Sequence, residues 1–118
     1  MRKKIARKLV KTFHKWRIST REKHALLGLR PFEYETLKYG GILPIKRELL
    51  LRISELSRIN DALHSLLGRD AKNIAHWLHA PNKGVIFNGE KAVVFMSRNL
   101  KNLTSTRQYL EYFAHGGW

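Results

Sequence analysis

The chain has 118 residues, with 23 Lys/Arg against 9 Asp/Glu, a formal net charge of +14 and no cysteine. That length holds one compact domain or two small helical lobes sharing a core, and a hydrophobic content of 43% is too high for a disordered chain. The absence of thiols excludes a disulfide framework and a thiolate metal site, while the charge favours a polyanionic partner: nucleic acid, an anionic membrane surface or an acidic protein.

Residues 1–52 hold 15 basic and 4 acidic residues, a net of +11; residues 53–118 hold 8 and 5, a net of +3. The polyanion is therefore expected to meet the first half. No apolar run approaches the roughly 18 residues of a transmembrane helix. The basic start "MRKKIARKLVKTFHKW" has neither a long apolar stretch nor a small-residue cleavage site, so no signal peptide is expected. The expectation is a soluble, cytoplasmic protein without a membrane partner.

In chain order, Ile5, Leu9, Phe13 and Trp16 form one apolar stripe on a helix over residues 2–15, with Lys and Arg on the other faces. Alone, this pattern fits a basic amphipathic helix on a membrane or the first helix of a helical domain. "ISTREKHALLGL" follows. Ser19 and Glu22 have capping-box spacing, Ala25, Leu26 and Leu27 supply a buried face, and Gly28 sits at a helix C-cap. Pro31 suits the first position of a second short helix, "PFEYETLKY", which ends at Gly40-Gly41. Helix, glycine turn and short helix make a helix-turn-helix arrangement.

Pro44 is expected to open a long helix through Leu67. Ile45, Leu49, Ile53, Leu56, Ile59, Leu63, Leu66 and Leu67 recur along it at helical spacing, and Gly68 stops it. Asp70 caps "DAKNIAHWLH", and a Pro81-Asn82 corner follows. In "GVIFNGEKAVVFM", Asn88-Gly89 reads either as a hairpin turn between Val85–Phe87 and Ala92–Met96 or as the lead into a short helix from Glu90. "NLTSTRQYLEYFAHGG" reads as a closing helix ended by Gly116-Gly117, with Trp118 beyond it. The fold class is all-α, with five to seven helices and a short β-hairpin at Asn88-Gly89 as the one exception. Three segments are expected: a basic helix-turn-helix region (1–43), a connecting helix (44–67) and a small C-terminal domain (68–118).

No catalytic constellation is visible. His76 and His79 lie three apart, but no second ligand pair matches them, so no metal is expected. The glycines of "NKGVIFNGEK" do not follow the P-loop order, and Asp61, His64 and Ser65 on one helix point to different faces. The expectation is a binding protein without cofactor, not an enzyme.

Trp77, Leu78, Pro81, Asn82, Phe87, Gly89, Met96, Leu110 and Gly116 occur in an order that resembles the C-terminal toxin-binding domain of the Xre/MbcA/ParS-type antitoxins. "ISTREKHALLGL" resembles their Xre-type helix-turn-helix, and the helix to Leu67 resembles their connector, so the resemblance covers about residues 16–118. It implies the antitoxin of a type II toxin–antitoxin system: a homodimer that binds a RES-domain toxin, an NAD⁺-consuming enzyme. The C-terminal segment would cover the toxin's active site, and the complex would repress its own operator. The toxin-binding residues so implied are Trp77, Pro81, Asn82, Phe87, Gly89, Tyr109, Phe113, His115, Gly116, Gly117 and Trp118. The DNA-binding residues expected are Arg17, Arg21, Arg30, Thr36 and Lys38 within the resemblance, and Arg2, Lys3, Lys4 and Arg7 from the charge of the N-terminal helix, which the resemblance does not cover.

Two departures bear on DNA. The recognition helix carries Glu33 and Glu35, whose carboxylates repel phosphates unless they face away or accept from cytosine, and Tyr39 stands where the family often has Trp. Sequence-independent contacts from the N-terminal helix are expected to supply part of the affinity. Two alternatives stay open on the sequence: a helix-turn-helix regulator or nucleoid-like protein without a toxin, and a basic RNA- or ribosome-associated protein.

Overall fold

The computed structural model describes residues 2–39 and 46–117, and every regular element in them is a helix. In chain order these are α1 (Arg2–Lys15), α2 (Thr20–Leu27), α3 (Pro31–Lys38), α4 (Arg47–Leu67), α5 (Ala71–His79), α6 (Ala92–Ser97) and α7 (Leu100–Ala114). The all-α expectation holds. Gly40-Gly41, Pro44, Ile45 and Trp118, and the side chains of Arg2 and Lys3, lie outside the described residues.

Local chemistry sets most boundaries. Ser19 accepts from the Glu22 amide (3.1 Å) and Glu22 returns the favour to the Ser19 amide (2.7 Å), so α2 starts on a complete capping box. It ends on a Schellman turn, with Gly28 N–H to Ala25 O and Leu29 N–H to His24 O. Asp70 caps α5 through the Lys72 amide, and Asn99 caps α7 through the Asn102 amide. Gly68 ends α4.

α1 buries Ala6, Leu9 and Phe13, and Trp16 just past its end is buried with them, whereas Ile5 stays 40% exposed. The expected stripe is thus displaced at its first turn: Ala6, not Ile5, lies in line with Phe13 and faces the core. Ile5 instead borders a groove of about 190 Å³ between α1 and α4, lined also by Thr12, Ile53 and Ser57.

One core cluster runs from Leu9 to Leu110 and draws on residues 1–43, 44–67 and 68–118 alike. α4 forms its axis. Its 21 residues span about 31 Å along a molecule 42 Å long. Glu55 pairs with Arg107 of α7, and one turn on Arg58 pairs with Glu111. The partners advance in the same sense along both helices, so α4 and α7 lie side by side and parallel. α1 is tied in at its C-terminal end, where Trp16 Nε1 donates to Asn60 Oδ1 (3.1 Å) and His79 Nε2 to the Trp16 carbonyl (3.0 Å). Because a carbonyl only accepts, that bond places a proton on Nε2 and gives His79 a structural task.

Of the two readings of Asn88-Gly89 the hairpin is corrected and the short helix holds, with α6 starting at Ala92. Among the described residues there is no strand, only an isolated antiparallel bridge between Pro81 and Lys91. Asn88 and Gly89 do take the positive φ values (51° and 83°) of a tight hairpin turn, and Glu90 N–H closes it on Phe87 O. The flanks fail to pair because each buries more by coiling. Residues 84–88 form one turn, with Phe87 and Asn88 N–H on Gly84 O, and this sends Phe87 inward. Ala92, Val93 and Met96 are fully buried, a helical spacing that strand alternation would split between two faces.

Candidate functional site

Between α5 and α6 the chain makes a closed loop whose neck is Asn82. Its N–H donates to Glu90 O, its carbonyl accepts from Gly89 N–H (both 2.9 Å), and its side-chain oxygen accepts from Gly84 N–H (2.8 Å). An Asx side chain that satisfies its own loop in this way makes the corner rigid without a regular element.

Phe87 is the plug of that loop. Fully buried, it meets Trp77, Phe95 and Tyr109 edge-on, with centroids 5.2–5.6 Å apart. Tyr109 continues to Phe113 at 5.0 Å, and Phe113 to Tyr112 at 5.2 Å. Gly84 allows the loop to lie directly on α7, since a Cβ there would sit 2.6 Å from the Tyr109 hydroxyl. Glu90 and Arg98 form a two-armed ion pair across the base of the loop. The Arg98 hydrogen bonds hold the Glu90 carboxyl below its ordinary range.

α7 ends beside this cluster. Gly116 N–H bonds Phe113 O and Gly117 N–H bonds Tyr112 O, a second Schellman turn. It lays Gly117 against the Tyr112 ring so closely that a Cβ would collide with it. The direction in which the chain leaves α7 is therefore set by Tyr112. His115 is exposed beside a hollow of about 140 Å³ bordered by Arg58, Asp61 and Glu111.

Of the residues singled out in the sequence, Trp77, Phe87, Tyr109 and Phe113 come together as one edge-to-edge aromatic chain, and Pro81, Asn82 and Gly89 form the loop around it. Phe87 is buried, so it positions the surface and does not belong to it. Sequence reasoning passed over the outward members: Val85 is 92% exposed at the loop tip and Tyr112 60% exposed on α7. The Tyr112 signal was present. Tyr109, Tyr112 and Phe113 fall within roughly 100° of arc on one helix, beside the Leu103–Leu110 core line. Trp118 lies outside the described residues.

In the first half, Lys4, Arg7, Arg17, Arg21, Arg30 and Lys38 are all exposed. The α3 side chains are less free than their exposure suggests. Arg30 sits 3.8 Å from Glu33 and over the Phe32 ring, Lys38 sits over Tyr39, and the Thr36 hydroxyl donates to Phe32 O. Among the described residues no helix is long and apolar enough to cross a membrane, and no cluster of three His, Asp or Glu is placed to hold a metal.

No protein-family model matches the chain, and no curated protein matches it.

Proposed function

We propose that the chain is the antitoxin of a type II toxin–antitoxin pair. Its C-terminal part docks on a RES-domain, NAD⁺-consuming toxin, and the segment leaving α7 covers the toxin's active-site cleft. The first half binds DNA, so that the complex represses its own operon, and the antitoxin works as a homodimer. In this reading the chain performs no catalysis and carries no cofactor; the chemistry belongs to the toxin.

The observation that supports this most is the buried plug Phe87 beneath an exposed rim. A loop fixed by Asn82 and by four edge-on rings presents Val85 to solvent, α7 presents Tyr112, and the Gly116-Gly117 turn lays Gly117 against the Tyr112 ring. Rigid aromatic rims that need no reordering are favourable anchors, because binding then costs little side-chain entropy.

The test is co-expression with a RES-domain toxin and an NAD⁺-consumption assay, comparing the full chain with one truncated after Ala114. Neutralisation by the full chain and its loss on truncation is the expected result. Neutralisation by both moves the contact to the 81–96 loop. Neutralisation by neither overturns the reading and leaves a DNA-binding regulator without a toxin, which the basic first half also supports.

A further inference from the structure

The charge of the first half has a more definite geometry than its sum. Lys4, Lys8, Lys11 and Lys15 follow one another at i, i+4, i+7 and i+11, which puts them within about 60° of arc along some 16 Å of helix. Phe13, fully buried, points the opposite way. The ridge is therefore held outward by the same packing that buries Leu9, Phe13 and Trp16.

Nothing acidic neutralises it. Among the described residues no ion pair involves any of these four lysines. Three of the four carboxylates in the first half are already engaged: Glu22 on the Ser19 amide, Glu33 on Arg30, Glu48 on Arg52. α3 is the poorer reader. Its outward side carries Phe32 (64% exposed), Glu35 and Tyr39 (77% exposed), and its Arg30 and Thr36 are committed within the helix.

We infer that α1, not α3, is the principal DNA-contacting element, and that the ridge Lys4–Lys8–Lys11–Lys15 lies along the phosphate backbone of a duplex and holds it without reading its sequence. Lysine is a point charge on a flexible stem, suited to phosphates in any register and unsuited to the forked recognition of a base edge. No aromatic side chain interrupts the line, so it offers no stacking platform for the bases of a single strand. A bilayer is a worse fit, because the apolar face of α1 is buried in the core. This inference rests on the DNA-binding part of the proposed function and is independent of the toxin part.

The experiment is fluorescence anisotropy of a labelled mixed-sequence duplex, titrated with the full chain between about 50 and 200 mM salt. Three proteins are compared: unaltered, Lys4/Lys8/Lys11/Lys15→Gln, and Arg30/Thr36/Lys38→Ala. Losing four phosphate contacts should flatten the slope of log affinity against log salt by about 3 to 4, so that between about 50 and 200 mM salt the variant loses on the order of 100-fold less affinity than the unaltered chain. The α3 variant should keep most of the affinity, and a duplex of shuffled sequence should bind equally well. An unchanged slope in the lysine variant, sequence discrimination lost only in the α3 variant, or preference for the single strand would each overturn the inference. Circular dichroism and undiminished toxin neutralisation by the lysine variant show that it is folded. They also separate failure of the ridge from failure of the antitoxin reading.

Discussion

Phe87 and Val85 stand two residues apart in one loop and divide its work between them. Phe87 is fully buried and edge-on to three rings, so Phe87→Ala removes a packed aromatic and leaves a cavity that Trp77, Phe95 and Tyr109 cannot all collapse into. The expected loss is about 3–5 kcal/mol, read as a lower midpoint in urea. Val85 is 92% exposed and lies outside the buried core. Val85→Asp should therefore shift stability by less than about 0.5 kcal/mol, while under the proposed function a charge on the rim should weaken binding of a RES-domain toxin at least tenfold in calorimetry. A variant that melts early and one that melts normally but fails to bind would assign the two positions to support and contact. If Val85→Asp bound normally, the loop tip would lie outside the interface.

Among elements, the partnership of α4 and α7 depends on carboxylates and so on pH. Burial pushes the Glu111 carboxyl up, but hydrogen bonds and charge from Arg58 and Arg107 outweigh it and leave it below its ordinary 4.5; Glu90, held by Arg98, is lowered from the same value. A carboxylate whose folded pKa is depressed stabilises the fold above its unfolded value and loses that contribution as pH falls through the folded value. The contribution of Glu111 and Glu90 should thus be present in full well above pH 4.5 and be lost progressively as pH falls below it. Glu111→Gln should be less stable at neutral pH and show a shallower acid decline, which thermal melts at stepped pH would detect. An unchanged acid decline in that variant would place the lost stability in other groups. These pairs could not be foreseen from the sequence. Caps, glycines and helical spacing act over four residues, which is why α1, α2, α5 and the end of α4 were legible. The parallel docking of α7 on α4 is set across 52 and 53 residues by Glu55–Arg107 and Arg58–Glu111. The choice left open after Asn88-Gly89, hairpin or short helix, has the same origin. Asn88-Gly89 does make the expected tight turn, but whether its flanks pair or coil was decided by what Phe87 meets at distant Trp77 and Tyr109. The aromatic residues of the candidate site were legible as types and positions; which of them face outward was not.

For the molecule as a whole, the acids are spent locally and the cations are not. Of nine acidic residues, Glu33, Glu48, Glu55, Glu90 and Glu111 sit in ion pairs, and Glu22 and Asp70 bond helix-start amides. Few are left to offset a net charge of +14 on a body 42 Å long and 23–25 Å wide. Two effects of salt then compete. Screening weakens the exposed ion pairs, each worth about 0–1 kcal/mol, and it also relieves the mutual repulsion of the surplus cations. The Arg107–Glu55 pair between α7 and α4 is short (3.1 Å) and largely buried, so mobile ions reach it poorly. The lysines of α1 are exposed and about 4.5–6 Å apart along the helix axis, inside the roughly 10 Å Debye length at 0.1 M, so their repulsion is felt at low salt and largely gone near 1 M. Repulsion should dominate. The melting temperature should rise from low salt to about 0.5 M sodium chloride, by about 4 °C for each kcal/mol relieved. Lys8→Gln with Lys11→Gln should reproduce part of that rise at low salt and flatten the dependence, because the middle of the ridge is where like charges crowd most. A melting temperature that fell with salt would mean that attraction outweighs repulsion in this fold. Repulsion along the α1 ridge would then be too weak to set the salt dependence.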